Sequence, residues 1–378
     1  MILRVYTPTE YIELEADTKT TGQELFEELC KCLHIQEHWW FGLAYRGTEK
    51  EYVWIDKSKK ALSRFQNDLT NLLFIVKFYP ENVNELIETV TIEHFFNYIR
   101  ILIIKDEISC PADIAMLLAS WALQAKYGDY SKEKFNQEFF HKQSLLPDFL
   151  SNQYKINEDN WVNHIKDLWL EHQSLDKEKA MLEYLKLAQN LDMYGITYFN
   201  TKNVMGTETH LGIAALGLYV YTKDDKLNPS FHLSWSEIKK LCINGTKFII
   251  HFEDITEKFT IRTASEIMSK NILVLGIGNH KLYVRRRNPD PPDIVKMKEE
   301  ANEMRKNKLL MRSRKEVESQ QNSRKLQVDK ENDNIMDSER MLWHEKMNLL
   351  YKNESEQELT NNSDIELKTL PNVDSNQI

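Results

Sequence analysis

The chain has 378 residues, which on a prior of ~100–200 residues per domain allows two to four domains and an ample core. Apolar residues are 42% and charged residues 28%, the mix of a soluble globular protein, and the net charge of −9 argues against a generally basic nucleic-acid binder. No run approaches the ~18 apolar residues of a membrane span, and the opening Met-Ile-Leu-Arg-Val-Tyr lacks the charged-then-apolar layout of a signal peptide.

Residues 1–80 read as two strands, a helix and further strands. Ile2–Tyr6 and Tyr11–Leu14 flank the turn signal Thr7-Pro8-Thr9. Thr21-Gly22-Gln23-Glu24 has the spacing of a capping box, and Leu25, Leu29 and Leu33 then recur on one helix face. Phe41–Tyr45, Tyr52–Ile55 and Leu72–Phe78 supply the later strands. This order is the β-grasp, or ubiquitin-like, arrangement.

Residues 81–195 change to helical spacing. Ile92, Phe95, Phe96, Ile99 and Ile103 form one stripe, and Ile114, Leu117, Leu118, Trp121, Ala122 and Ala125 a second. Pro111 suits the second helix's start and Gly128 its end. Trp161, Ile165, Leu168 and Trp169 mark a third helix; Met181, Tyr184, Leu185, Ala188 and Leu191 mark a fourth, closed by Gly195. The result is a helical bundle whose aromatic stripes are core.

Residues 196–290 return to strands. Seven are expected, at Ile196–Asn203, His210–Ala215, Leu218–Thr222, Phe231–Trp235, Lys239–Ile243, Lys247–Phe252 and Lys258–Arg262, with a helix at about Ala264–Gly278. Seven strands and one C-terminal helix is a PH/PTB-like β-sandwich arrangement. Residues 291–350 are a charged, helix-prone segment, and residues 351–378 read as a disordered acidic tail. Net charge runs −8 over residues 1–284, +6 over 285–330 and −7 over 331–378. The basic segment suits either a solvated helix or a membrane or intramolecular contact.

Chemistry is hard to find. No HExxH, GxSxG, Walker loop or paired-cysteine motif occurs, and no cofactor, metal or catalytic residue is assigned. Gly276-Ile277-Gly278 lacks the third glycine of a dinucleotide loop and falls at the expected helix end. His280 then follows the last turn, where an imidazole can satisfy free carbonyls. Cys30 and Cys32 sit two apart on a helix and point to different faces. Without an export signal, reduced cytosolic thiols are expected.

Several strings carry a family resemblance. They include Trp39-Trp40-Phe41-Gly42-Leu43, Lys77-Phe78-Tyr79-Pro80-Glu81, Leu117 through Tyr130, Glu183 through Gln189, Trp235-Ser236-Glu237-Ile238, and Gly278-Asn279-His280 before Arg285-Arg286-Arg287. In this order the chain resembles a FERM domain of the ezrin, radixin, moesin and merlin branch over roughly residues 1–310, leaning to merlin. The resemblance implies an α+β multi-lobe fold: a ubiquitin-like lobe at 1–80, an acyl-CoA-binding-protein-like helical bundle at 81–195 and a PH/PTB-like lobe at 196–290. It also implies a non-catalytic membrane–cytoskeleton scaffold, cytoplasmic and peripheral at the plasma membrane and cell cortex. Partners would be cytoplasmic tails of membrane proteins, PDZ-type or other cortical adaptor proteins and anionic phosphoinositides, with no nucleic acid. The other readings are a merlin-like growth-control regulator acting by partner sequestration and a FERM fragment of a tyrosine kinase or phosphatase.

By similarity, a peptide groove would run along Ile238, Leu241, Cys242 and Ile243 on a strand and Leu273, Ile277 and His280 on the last helix. The same apolar residues could instead be the lobe's own core. The family's inositol-phosphate site maps to Lys57, Lys59, Lys60 and Lys270, three of them within four residues after Trp54-Ile55-Asp56. Asp56 stands where the family has a lysine, which implies weaker phosphoinositide binding; an ordinary solvated lysine cluster is the other reading. The end does not resemble the family's actin-binding tail, so a short form or a diverged member is expected, with direct F-actin binding doubtful.

Overall fold

The computed structural model describes residues 2–315 except 18, 48–51, 61–70, 134, 136, 154–157 and 254–257, and beyond 315 only 317, 318, 321, 324, 336, 338, 340–342 and 345. The chain divides into two units, Met1–Ala301 and Asn302–Ile378. In the second, residues 302–315 are helical and expose Met304, Leu309, Leu310 and Met311. The acidic tail expected at 351–378 lies outside the described residues.

The first unit opens with β1 (Ile2–Tyr6), β2 (Tyr11–Glu15), α1 (Gly22–Cys32), β3 (Phe41–Arg46), β4 (Tyr52–Trp54) and β5 (Leu72–Val76). The sheet order is β2-β1-β5-β3-β4, with β1 and β5 parallel and the other pairs antiparallel. Alternation turns Leu3 and Val5 inward, beneath Leu25, Phe26 and Leu29 of α1. The capping box forms: Glu24 N donates to Thr21 Oγ1 at 3.2 Å, and Thr21 N donates to Glu24 at 2.8 Å. The next donors of α1 are met from the β4 side. Gly22 N donates to Lys59 O (2.9 Å) and Gln23 N to Lys57 O (3.0 Å), so the lysine turn caps a helix start with its backbone.

The helical lobe holds α2 (Thr89–Ile104), α3 (Ala112–Tyr127), α4 (Gln137–Lys142), α5 (Asp148–Gln153), α6 (Glu158–Leu170) and α7 (Lys177–Ala188). Short α4 and α5 went unanticipated, since six residues carry too few apolar positions for a period. The expected α3 stripe is one of two buried faces. Leu118, Ala122 and Ala125 lie in the shared core and Ile114 and Trp121 pack against it half-buried, as the stripe implies, but Ala115, Ala119 and Leu123 form a second buried face in a separate cluster around Trp169. A helix buried on two sides has no single apolar stripe.

The last lobe is β6 (Thr197–Lys202), β7 (Glu208–Ile213), β8 (Gly217–Thr222), β9 (Phe231–Ser234), β10 (Ile238–Asn244), β11 (Lys247–Phe252), β12 (Lys258–Thr263) and α8 (Glu266–Arg286). Its antiparallel sheet runs β10-β11-β12-β6-β7-β8-β9, leaving β10 and β9 as edges. One apolar core joins all three lobes. α8 runs eight residues past the expected stop at Gly278, so His280 lies inside the helix and does not cap its end. The reason is tertiary and lies at Gly278 itself.

Candidate functional site

α8 begins at Ser265, whose hydroxyl accepts from Met268 N at 3.1 Å. Met268, Ile272, Leu275 and Asn279, at i, i+4, i+7 and i+11, are buried towards its own lobe. A second side meets the first lobe. Asn271 Nδ2 donates to Tyr52 O (3.2 Å), and a methyl at Gly278 would overlap the Phe78 ring. At the C-terminal end Arg286 donates to Glu85 (2.8 Å) and to Tyr79 O (2.9 Å), and Arg285 lies 4.5 Å over Trp39. Glycine in a helix interior costs ~1 kcal/mol, but here it admits an aromatic ring that holds two lobes together.

A third side of α8 faces β10. A Cβ at Gly276 would lie 2.8 Å from Leu241 Cδ1, so the glycine lets the helix lie close against that side chain. Leu273, Ile277 and His280 follow at i, i+4 and i+7. Ile277 is 43% exposed, while Leu273 and His280 are half-buried, His280 edge-on to Trp235 at 6.1 Å. On the strand, Leu241, Cys242 and Ile243 are half-buried. Leu241, Ile243 and Leu273 pack partly against the core, so the two readings of these residues meet: each wall is core on one side and open on the other. Ile238 is corrected: it is buried, on the far side of a register shift between Ile238 and Lys240, and belongs to the core. Among the described residues β10 pairs only with β11, and as an edge it keeps one row of backbone groups without a strand partner.

The four lysines are placed less openly. Lys59 Nζ pairs with Asp56 at 2.8 Å and Lys270 with Glu266 at 2.6 Å, both on exposed side chains. Lys57 Nζ lies 3.8 Å over the Phe26 ring, and its pKa is lowered by desolvation. Asp56 is held down to about 2 by hydrogen bonds from Lys59 and Ser58. Lys60 is exposed and bridges Thr21 through its backbone. The strand that leads into the turn, β4, meets α8 through the Asn271–Tyr52 bond, and an incoming phosphate would compete with two carboxylates for Lys59 and Lys270.

Two ionisable groups at the lobe joints escaped sequence reasoning. Glu37 is fully buried between the first lobe and α2. It accepts from Ile87 N (3.0 Å), Glu88 N (2.7 Å) and Trp40 Nε1 (3.1 Å). Glu88 returns the arrangement, accepting from Gln36 N and Glu37 N at 2.9 Å each. Burial raises the Glu37 pKa against the lowering effect of those bonds. Lys77 lies at the other joint, 4.8 Å over Trp54 and beside Phe78, and burial lowers it to about 8. A residue pair such as Glu37 and Glu88 has no local signature, because its partners are backbone groups 50 positions away.

The match to known proteins follows the same three lobes. Residues 9–66 match the FERM N-terminal domain, 81–199 the FERM central domain and 203–291 the FERM C-terminal PH-like domain. The chain belongs to the FERM family, and its fold is the three-lobed FERM fold. Its relatives place it near one branch. Moesin/ezrin/radixin homolog 1 of Culex quinquefasciatus and that of Aedes aegypti are each 41% identical over 307 residues, 80% of this chain and 54% and 53% of theirs. The chain thus spans about half the length of these curated relatives. The FERM and C-terminal domain complex of Drosophila Merlin is similar in structure, with a TM-score of 0.72 and 33% identity over 78% of this chain and 99% of that one. The MyTH4-FERM MF2 domain of Dictyostelium discoideum myosin VII shares the fold alone, at 17% identity and a TM-score of 0.61 over 74% and 58% of the two chains.

Proposed function

We propose that this FERM chain is a docking scaffold of the cell cortex that binds cytoplasmic tails of membrane proteins and anionic phosphoinositides. The observation that carries the reading is the open edge of β10 beside α8. An extended tail can add its backbone to such an edge and lay alternate side chains against Leu273, Ile277 and His280. Among the described residues no helix is long and apolar enough to cross a membrane, in keeping with attachment through partners and lipid. The seam lysines would take the phosphoinositide weakly, since Asp56 and Glu266 already hold two of them.

Titration with a juxtamembrane peptide is expected to shift the amides of Leu241–Ile243 and Leu273–Ile277. Ile277→Glu, at an exposed position, should weaken that binding about tenfold, the effect of placing an unpaired charge against an apolar contact. Shifts confined to other strands, or an unchanged affinity, would remove the groove from the account. Sedimentation with phosphatidylinositol 4,5-bisphosphate vesicles should fall when Lys59, Lys60 and Lys270 become Glu, and undiminished sedimentation rejects those lysines.

A further inference from the structure

The last lobe carries a second concavity, away from the groove edge, of about 520 Å³. Asn200, Lys202, Glu208, Lys223, Thr246 and Arg262 line it. Strand register brings the charges together. Arg262 of β12 stands directly opposite Lys202 of β6, and Lys202 directly opposite Glu208 of β7. Lys223, just past the end of β8, reaches Glu208 Oε2 at 2.7 Å, while Lys202 is 3.9 Å from Oε1. Two lysines therefore share one carboxylate. Arg262 has no ion pair among the described residues.

Like charges directly opposite on paired strands are destabilising. Three cations against one carboxylate leave a net charge of +2 around a hollow. Two neutral donors on the same wall, the exposed Asn200 amide and Thr246 hydroxyl, are free to turn towards a ligand. A peptide carboxylate would answer one of the three cations. A phosphate monoester carries close to two negative charges and three acceptor oxygens, which match two uncompensated cations and two neutral donors. The volume falls within the range of small-molecule sites.

We propose that this pocket is an anion site, made of residues separate from the seam lysines, and that it takes a phosphate-bearing ligand of headgroup size. Arg262 forms the bidentate contact. Lys223 and Lys202 supply point charges, and Glu208 occupies them until the phosphate displaces it.

The test uses the whole chain, labelled for amide NMR, with inositol 1,4,5-trisphosphate as the soluble probe and phosphatidylcholine vesicles with or without phosphatidylinositol 4,5-bisphosphate as the lipid probe. Saturable shifts at Lys202, Thr209, Lys223 and Arg262 with either probe support the site. The soluble probe alone indicates a free phosphate ligand, and the lipid-bearing vesicles alone indicate a membrane headgroup. Arg262→Gln with Lys223→Gln should weaken binding at these amides about tenfold or more, as for loss of charge-assisted hydrogen bonds. Glu208→Gln should strengthen it severalfold, because it frees both lysines, an effect that a merely structural role would not produce. The triple change of Lys59, Lys60 and Lys270 to Glu should leave the strand shifts in place. Should the double variant fail to fold, Glu208→Gln and Arg262→Lys carry the test. The proposal falls if neither probe shifts these strands, if the double variant binds as the wild type does, or if Glu208→Gln weakens binding.

Discussion

The two joints of the first lobe hold ionisable groups of opposite sign in opposite ways, Glu37 fully buried and Lys77 half-buried. At the joint with α2, Glu37 is fully buried and accepts three hydrogen bonds, two from backbone N–H groups of the neighbouring lobe. At the joint with α8, Lys77 lies over Trp54 with no hydrogen-bond acceptor among the described residues. A buried charge that is fully hydrogen-bonded specifies a joint, because every partner is orphaned if it leaves. A charge met by ring faces and only distantly by a carboxylate, Asp56, contributes less to cohesion than its desolvation costs. The second joint is therefore held by shape, through Phe78 against Gly278, and by the Arg286 bonds to Glu85 and Tyr79 O.

The sharpest way to break this contrast is Gly278→Val. On helix propensity alone the change would be favourable by a few tenths of a kcal/mol. With the Phe78 ring in place it should instead cost about 3 kcal/mol, as overpacking against a rigid aromatic. Urea denaturation checks the sign, and addition of Phe78→Ala should recover part of the loss. No loss on Gly278→Val would mean that the two lobes do not meet there.

Glu37→Ala should cost nearly as much, about 2–3 kcal/mol, by leaving two backbone N–H groups and the Trp40 indole without acceptors. The pH dependence distinguishes this joint from the other. A carboxyl raised by burial holds an extra proton in the folded chain, so its contribution is complete below the ordinary glutamate pKa of ~4.3 and is lost as pH rises through the raised folded value. Stability of the wild type relative to Glu37→Gln should thus increase as the pH is taken from 7 towards 4.5.

Lys77→Met should have the smallest effect and the opposite sign. It keeps the stem over Trp54 and removes the desolvated ammonium, so a gain of about 1 kcal/mol at pH 7 is expected after allowance for partial solvent screening. A lysine lowered to about 8 binds fewer protons folded than unfolded between that value and ~10.4. Wild-type stability should rise through that window, and thermal melting of the two chains should converge near pH 10. A destabilised Met variant would show that the ammonium has a partner at this joint.

Much of the fold was legible from residues close in the chain. Thr21 and Glu24 declare a helix start because both halves of the capping box lie three positions apart. Five strands in the first lobe and seven in the last were expected from turn signals, and the family strings pointed to three lobes; how the strands pair in each sheet came from the structure. The failures share one cause. Gly278 read as a stop because a local rule assigns glycine to helix ends, whereas α8 continues to Arg286 past a ring 200 positions away in the chain. The α3 stripe shows only one of that helix's two buried faces, because a second core claims Ala115, Ala119 and Leu123. Among the groove residues, alternation could not say which side of β10 was covered, and a register shift placed Ile238 in the core. The pocket at Arg262 was invisible for the same reason: its charges are 60 positions apart and meet only through strand register.

What the amino-acid order determined unaided was where the longer helices and the strands lie, which lobes they build and which family they belong to, since propensity, capping and apolar period act over a few neighbouring residues. Which groups became charged, exposed or paired at the joints and sites was decided only by the folded arrangement. Burial and hydrogen bonding there depend on distances between segments that the chain itself leaves far apart.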